Sequence, residues 1–128
     1  TPFGMYRAGC TYTEIANGMC MQSPTAEGAK AAVFRVVRAC FDPAEESCLY
    51  GCHPVNFIHD EMLVEIPDDA HREVRAMEVS RLMVESIRKT VLKDVEVRAE
   101  PALMRRWYKD AEPVRDAQGR LVPWEPEA

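Results

Sequence analysis

Apolar and polar positions alternate most cleanly on either side of a charged break at His59-Asp60-Glu61. Val55-Asn56-Phe57-Ile58 precedes it and Met62-Leu63-Val64-Glu65-Ile66 follows. In the second run Leu63 and Glu65 point one way and Met62, Val64 and Ile66 the other, the period of a strand. The pattern predicts a hairpin with its tip at 59–61. Tight hairpins usually take Gly or Asn there, because the turn needs positive backbone angles. Neither is present, although His and Asp are among the few other residues that tolerate such angles. An acid pair in that position points to carboxylates held for a purpose. The plain alternative is a tip that is simply solvated.

Helical periodicity brackets the hairpin. Ala26, Ala29, Val33, Val36, Val37 and Cys40 share a face and predict a helix over 25–40. Pro24 suits its first turn, Ser23 its N-cap, and Asp42-Pro43 its end. A second helix is expected from Pro67-Asp68-Asp69 to about Thr90. Its acids stand at the start and Arg88-Lys89 near the end, as the helix dipole favours. Ala70, Val74, Met77, Val84 and Ile87 form its apolar face, with Arg81 the gap. Strict alternation over Lys93–Arg98 predicts a third strand. The expected fold is therefore α+β: a small antiparallel sheet, the hairpin plus a third strand, covered on one face by two main helices. Between Thr13 and Gln22 the pair Asn17-Gly18 predicts a break. Residues 42–54 read as an exposed loop, and residues 101–128 as a tail with a turn and a loosely held end. Within the tail, Met104-Arg105-Arg106-Trp107-Tyr108-Lys109 mixes bases and aromatics in a way that suits a nucleic-acid backbone. A Trp107 packed against the sheet is the alternative.

Composition narrows the class. A chain of 128 residues, 47% hydrophobic and 29% charged, is enough for one domain with a core. No apolar run approaches the ~20 residues of a membrane span, and no signal-peptide pattern is present, so a cytoplasmic protein without a membrane partner is expected. A net charge of −5 counts against a free-standing nucleic-acid module and suits a part of something larger. Thr1 at the start points the same way, to a processed product, an engineered piece or part of a longer reading frame. Cys10, Cys20, Cys40, Cys48 and Cys52 read as reduced thiols, several of them buried. Cys48 and Cys52 have a spacing seen in zinc sites, but no second pair follows, so a loop with thiols is the default reading.

Asp60 and Glu61 on a rigid turn suit a hard divalent ion such as Mg2+, which binds through one or two carboxylates and shares its remaining positions with water and phosphates. A further carboxylate from elsewhere is needed. Ile58-His59-Asp60-Glu61-Met62-Leu63-Val64-Glu65-Ile66-Pro67 resembles the last catalytic motif of family A, or polymerase I type, DNA polymerases. That motif is a His-Asp-Glu tip between apolar strands, followed by Pro and a helix. Gln22-Ser23-Pro24-Thr25-Ala26-Glu27-Gly28-Ala29-Lys30 resembles the family's minor-groove segment, with Ser23-Pro24 in place of its usual Gly. Thr1-Pro2-Phe3-Gly4-Met5-Tyr6-Arg7 resembles the stretch after the fingers helix, with Met5 and Tyr6 where some members carry Arg. Residues 102–124 resemble the C-terminus of a phage-like branch, down to Gly119-Arg120-Leu121-Val122-Pro123-Trp124.

The resemblance implies a C-terminal fragment of a polymerase palm. Residues 1–24 would be the post-fingers and minor-groove element, 25–100 the palm core and 101–128 the tail. It implies two-metal nucleotidyl transfer to a primer 3′ end with Mg2+ as cofactor. Asp60 would be a direct ligand, Glu61 a weaker or water-mediated one, and His59 a contact to the primer terminus. Gln22, Asn17 and Arg7 would touch DNA, although Asn17 lies five residues before Gln22 where the family has four. Partners would be primer-template DNA, deoxynucleoside triphosphates and the N-terminal remainder of the polymerase, in a bacterial or phage-infected cell. That remainder would carry the other metal-binding Asp and the fingers helix. Thr, like Cys or Ser, is also what an intein leaves at the start of its downstream product, so a split-polymerase half is a further expectation. The rival expectation is a non-catalytic α+β interaction domain with a solvated tip.

Overall fold

The computed structural model describes Thr1, residues 4–90 and residues 94–126. It is an α+β arrangement of two long helices, a hairpin and a small three-stranded sheet. A π-wound segment, Glu14–Gln22, runs directly into α1, Ser23–Phe41. The hairpin follows as β1, His53–Ile58, and β2, Glu61–Glu65. Then come α2, Arg72–Arg88, and the short strands β3, Leu103–Met104, β4, Val114–Arg115, and β5, Leu121–Trp124. Among the described residues no helix is long and apolar enough to cross a membrane.

The hairpin matches its sequence pattern. β1 and β2 pair antiparallel with Ile58 opposite Glu61 and Phe57 opposite Met62, so His59 and Asp60 alone form the turn. A bulge at Val55 shifts the register near the base. Met62, Val64 and Ile66 pack against a core of Val36, Ala39, Cys40, Leu49, Cys52 and Leu82, so both helices lie on one face of the hairpin, as expected.

The helix faces are rotated from those expected. On α1 the buried positions are Gly28, Ala32, Val36, Ala39 and Cys40, while Ala26 and Val37 are exposed. On α2 they are Ala76, Ser80, Leu82 and Ser86, and Val74 is 56% exposed. Small residues explain the rotation. A Cβ on Gly28 would lie 3.1 Å from the Ile87 Cα and would overlap the Thr90 hydroxyl oxygen. The helices touch nearly backbone to backbone at this point, and large apolar side chains would hold them apart. Two serines are buried without cost because their hydroxyls are satisfied: Ser86 Oγ donates to the Leu82 carbonyl at 2.7 Å, and Ser80 Oγ donates to the Ala99 carbonyl.

Other expectations are corrected. Residues 94–98 form no strand and Lys93 lies outside the described residues, so the hairpin sheet has two strands. The charges of the alternating segment pair locally, Arg98 with Glu96 at 2.8 Å, and Ala99 is tied to α2. The loop after α1 is not simply exposed, since it supplies Leu49 and Cys52 to the core. The tail is held as well. β5 pairs parallel with β3 and antiparallel with β4, and Leu121 is 2% exposed beside Ala76 and Leu103. The expected turn is present, with Asp116 Oδ1 accepting from the Gln118 and Arg120 N–H groups at 2.9 Å.

Asn17-Gly18 does not end the helix, and Ser23 is an internal helical residue with no capping bond upstream of it. Pro24 accounts for the unusual winding. It lacks an N–H, and in an α-helix its ring would press on the carbonyl four residues back. Wider π-winding relieves that clash, and the Ser23 N–H reaches the Gly18 carbonyl, five residues back. The helix start is marked by Thr11 and Glu14. The Glu14 carboxylate accepts from the Thr11 N–H at 2.8 Å, and the Thr11 hydroxyl accepts from the Glu14 N–H at 3.4 Å, which is a capping box.

Two outcomes follow from this packing. Gly28→Val is expected to cost about 1–3 kcal/mol by overpacking, more than the few tenths that helix propensity returns; urea unfolding measures it, and equal stability would contradict the close crossing. Burial pushes the Cys40 thiol up to about 11, with the neighbouring Cys52 adding to it. A raised value in the folded state stabilises fully below the ordinary thiol value of 9.0 and is lost as pH rises toward 11. Thermal melts across that window should fall less steeply for Cys40→Ala than for the parent chain.

Candidate functional site

The hairpin turn is the site's fixed point. His59 has φ 55°, a left-handed conformation that a non-glycine residue adopts at some cost. It closes a two-residue turn and throws the Asp60 side chain to the helix side of the hairpin. There His59, Asp60 and Phe57 line an open groove of about 600 Å³ together with Gln22, Met21 and Thr25. Ala26 and Ala29 of α1 and Met83 and Ile87 of α2 complete the walls. Three of the expected site residues, Gln22, His59 and Asp60, thus come together from positions 37 and 38 residues apart in the chain.

The others stand apart. Glu61 opens β2 opposite Ile58, and strand alternation sends its side chain to the face away from Met62 and the groove. Asn17 is exposed on the π-wound segment and does not line the groove. Arg7 is exposed and pairs with Glu14 at 3.7 Å. Its guanidinium lies 3.5 Å from where a Gly18 Cβ would be, an ordinary van der Waals contact.

Arginines engage some of the exposed carboxylates and leave others, Asp60 among them, without a cationic partner among the described residues. Asp42, Asp68, Asp69 and Glu85 accept hydrogen bonds from Arg38, Arg72, Arg75 and Arg81 respectively, which hold each carboxyl below the usual range. Asp116 is held down first by the Arg120 N–H. The Asp60 and Glu61 carboxylates have no arginine, lysine or histidine partner among the described residues. An exposed carboxylate that folding leaves unpaired is free to bind a cation. Among the described residues no three His, Cys, Asp or Glu side chains gather to hold a metal ion.

Periodicity put Ala26, Ala29 and Ile87 on apolar helix faces but gave no sign that they line a groove. Met83 and Ala26 carry no chemical signature, and Met21, 66% exposed, lies on the segment where a break was expected. The signal that was available is the Thr11-to-Glu14 capping box, which starts the helix early enough to carry Gln22 to the groove.

Comparison with protein-family models, curated proteins and solved structures returned no match. The site's interpretation therefore rests on its own geometry and on the sequence resemblance. The left-handed His59 supplies a direct check. His59→Gly removes the side chain but relaxes the turn, so stability should hold or rise by up to about 1 kcal/mol in thermal unfolding. A loss of that size would instead make the imidazole a structural element.

Proposed function

We propose that this chain is part of a DNA-directed DNA polymerase of the polymerase I type, carrying the palm hairpin that helps hold Mg2+ at a primer 3′ end. One observation carries the reading: Gln22, His59 and the unpaired Asp60 line a single open groove. The donor chemistry fits in part. Carboxylate oxygens suit Mg2+, but one exposed Asp binds it weakly, and the remaining ligands would come from the N-terminal remainder of the polymerase, fused or separate. When bound, the metal pair would lower the pKa of the primer hydroxyl and spread the charge that builds on the α-phosphate.

The chain's own residues then have distinct tasks. Asp60 holds an oxygen ligand on a turn whose conformation is set by His59. The His59 imidazole contacts the primer terminus beside it. The Gln22 amide both donates and accepts, so it matches the acceptors that every base pair shows in the minor groove and checks shape without reading sequence. Phe57, Met83 and Ile87 give the groove an apolar wall suited to sugar and base edges. Glu61, on the far face of the hairpin, acts more weakly, through water or after a change in the turn. Asn17 and Arg7 contact DNA farther back, and Arg7 must first release Glu14. Substrates are primer-template DNA and deoxynucleoside triphosphates, in the cytoplasm of a bacterium or phage-infected cell.

Primer extension tests the proposal. The 128-residue chain alone is expected to extend nothing. Joined to or mixed with an upstream polymerase I type portion, it should support extension, and Asp60→Asn should cost more than the roughly 10–100-fold of an outer-shell change. Glu61→Gln and Gln22→Ala should cost less than Asp60→Asn. Extension that survives Asp60→Asn, or extension by the isolated chain, would overturn the reading.

A further inference from the structure

The loop between β3 and β4 is unused by the groove. Every residue from Arg105 to Asp110 is exposed, with Trp107 at 54% and Tyr108 at 49%. The loop is not slack. Arg105 Nη1 donates to Asp68 Oδ2 at 2.9 Å, and the Tyr108 N–H meets the Met104 sulfur at 3.3 Å. The Tyr108 ring stacks on Trp124 of β5, with centroids 5.0 Å apart and planes 24° apart. A rigid aromatic pair and a free indole thus stand on the surface next to each other in the chain. Arg106 and Lys109 flank them, and neither forms an ion pair among the described residues, whereas Arg105 does. Asp110 and Glu112 follow in the chain and temper the positive charge.

We propose that this loop is a docking surface for single-stranded nucleic acid. An exposed aromatic face stacks on any base, and unpaired cations beside it take the phosphates. An acidic peptide would use Arg106 and Lys109 but would gain nothing from the rings, so the aromatic content favours a nucleic-acid strand. The surface lies at the opposite end of α2 from the groove. Its neighbour Asp68 lies just before that helix begins, whereas Met83 and Ile87 of the groove belong to its end. The choice of nucleic acid leans on the polymerase reading, yet the surface works without Asp60.

Fluorescence anisotropy of a labelled oligothymidylate of about 12 nucleotides, titrated with the 128-residue chain, tests this. Saturable binding is expected, weakened roughly tenfold in Trp107→Ala. The slope of log affinity against log salt should fall by about 0.7 in Arg106→Ala, as for one lost phosphate contact on a single strand. Lys109→Glu should weaken binding further, and unchanged thermal melts for these variants would keep the comparison clean. No binding at low salt, a Trp107→Ala affinity equal to the parent's, or displacement of the strand by polyglutamate as effective as by unlabelled oligonucleotide would each overturn the proposal. Those results leave Asp60-dependent primer extension untouched, so the two readings fail separately.

Discussion

The close crossing of α1 and α2 at Gly28 decides where everything else sits. Gly28 stands 3.1 Å, through an imagined Cβ, from the Ile87 backbone, and Ala32 is fully buried one turn on. With no side chains to hold them apart, the helices pack as a single layer under the hairpin. Ile87 serves twice: its backbone backs the crossing and it also lines the groove. The groove's depth is therefore set by a contact that contains no functional residue. The π-wound stretch upstream continues the same rod and delivers Gln22 to the groove's edge, opposite the hairpin turn.

The charge arrangement reinforces that geometry. Arginines of both helices are engaged with nearby carboxylates, Arg35 and Arg81 with Glu85, Arg38 with Asp42 and Glu45, Arg72 with Asp68. Such exposed pairs add little stability each. With 21 acids against 16 bases, several carboxylates, those of the turn among them, have no cationic partner among the described residues. Asp60, without a cationic partner among the described residues, lines an open groove in a chain of net charge −5.

The hairpin was legible in the sequence because both of its faces are written in period two, and the structure places its turn within a residue of the expected tip. Alternation around His59-Asp60-Glu61 leaves one sensible register when one face is buried. The helices were legible as helices, but their inner faces were not. Gly28, Ser80 and Ser86 look indifferent to hydrophobic periodicity, and their role comes from the neighbours they let approach. Val74 and Met77, which periodicity favours, are surface residues. The supposed third strand forms none over residues 94–98, where Glu96 pairs locally with Arg98. Conversely β3, β4 and β5 are too short to show a period, and their pairing is set by Leu103 and Leu121 meeting Ala76. Of the site, Asp60 and His59 were readable from the turn, whereas the meeting with Gln22 depends on a π-winding that Pro24 requires and no local propensity reports.

The central claim is that the Asp60 carboxylate is a cation ligand facing the Gln22 groove. Paramagnetic broadening by Mn2+, followed residue by residue in NMR spectra of the chain mixed with an N-terminal portion of a polymerase I type enzyme, tests it most directly. The account predicts broadening centred on Asp60 that reaches His59 and Gln22 and spares Asp68 and Asp69, whose carboxylates arginines already occupy. Broadening centred on Asp68 and Asp69, with Asp60 and Gln22 unaffected, would contradict it.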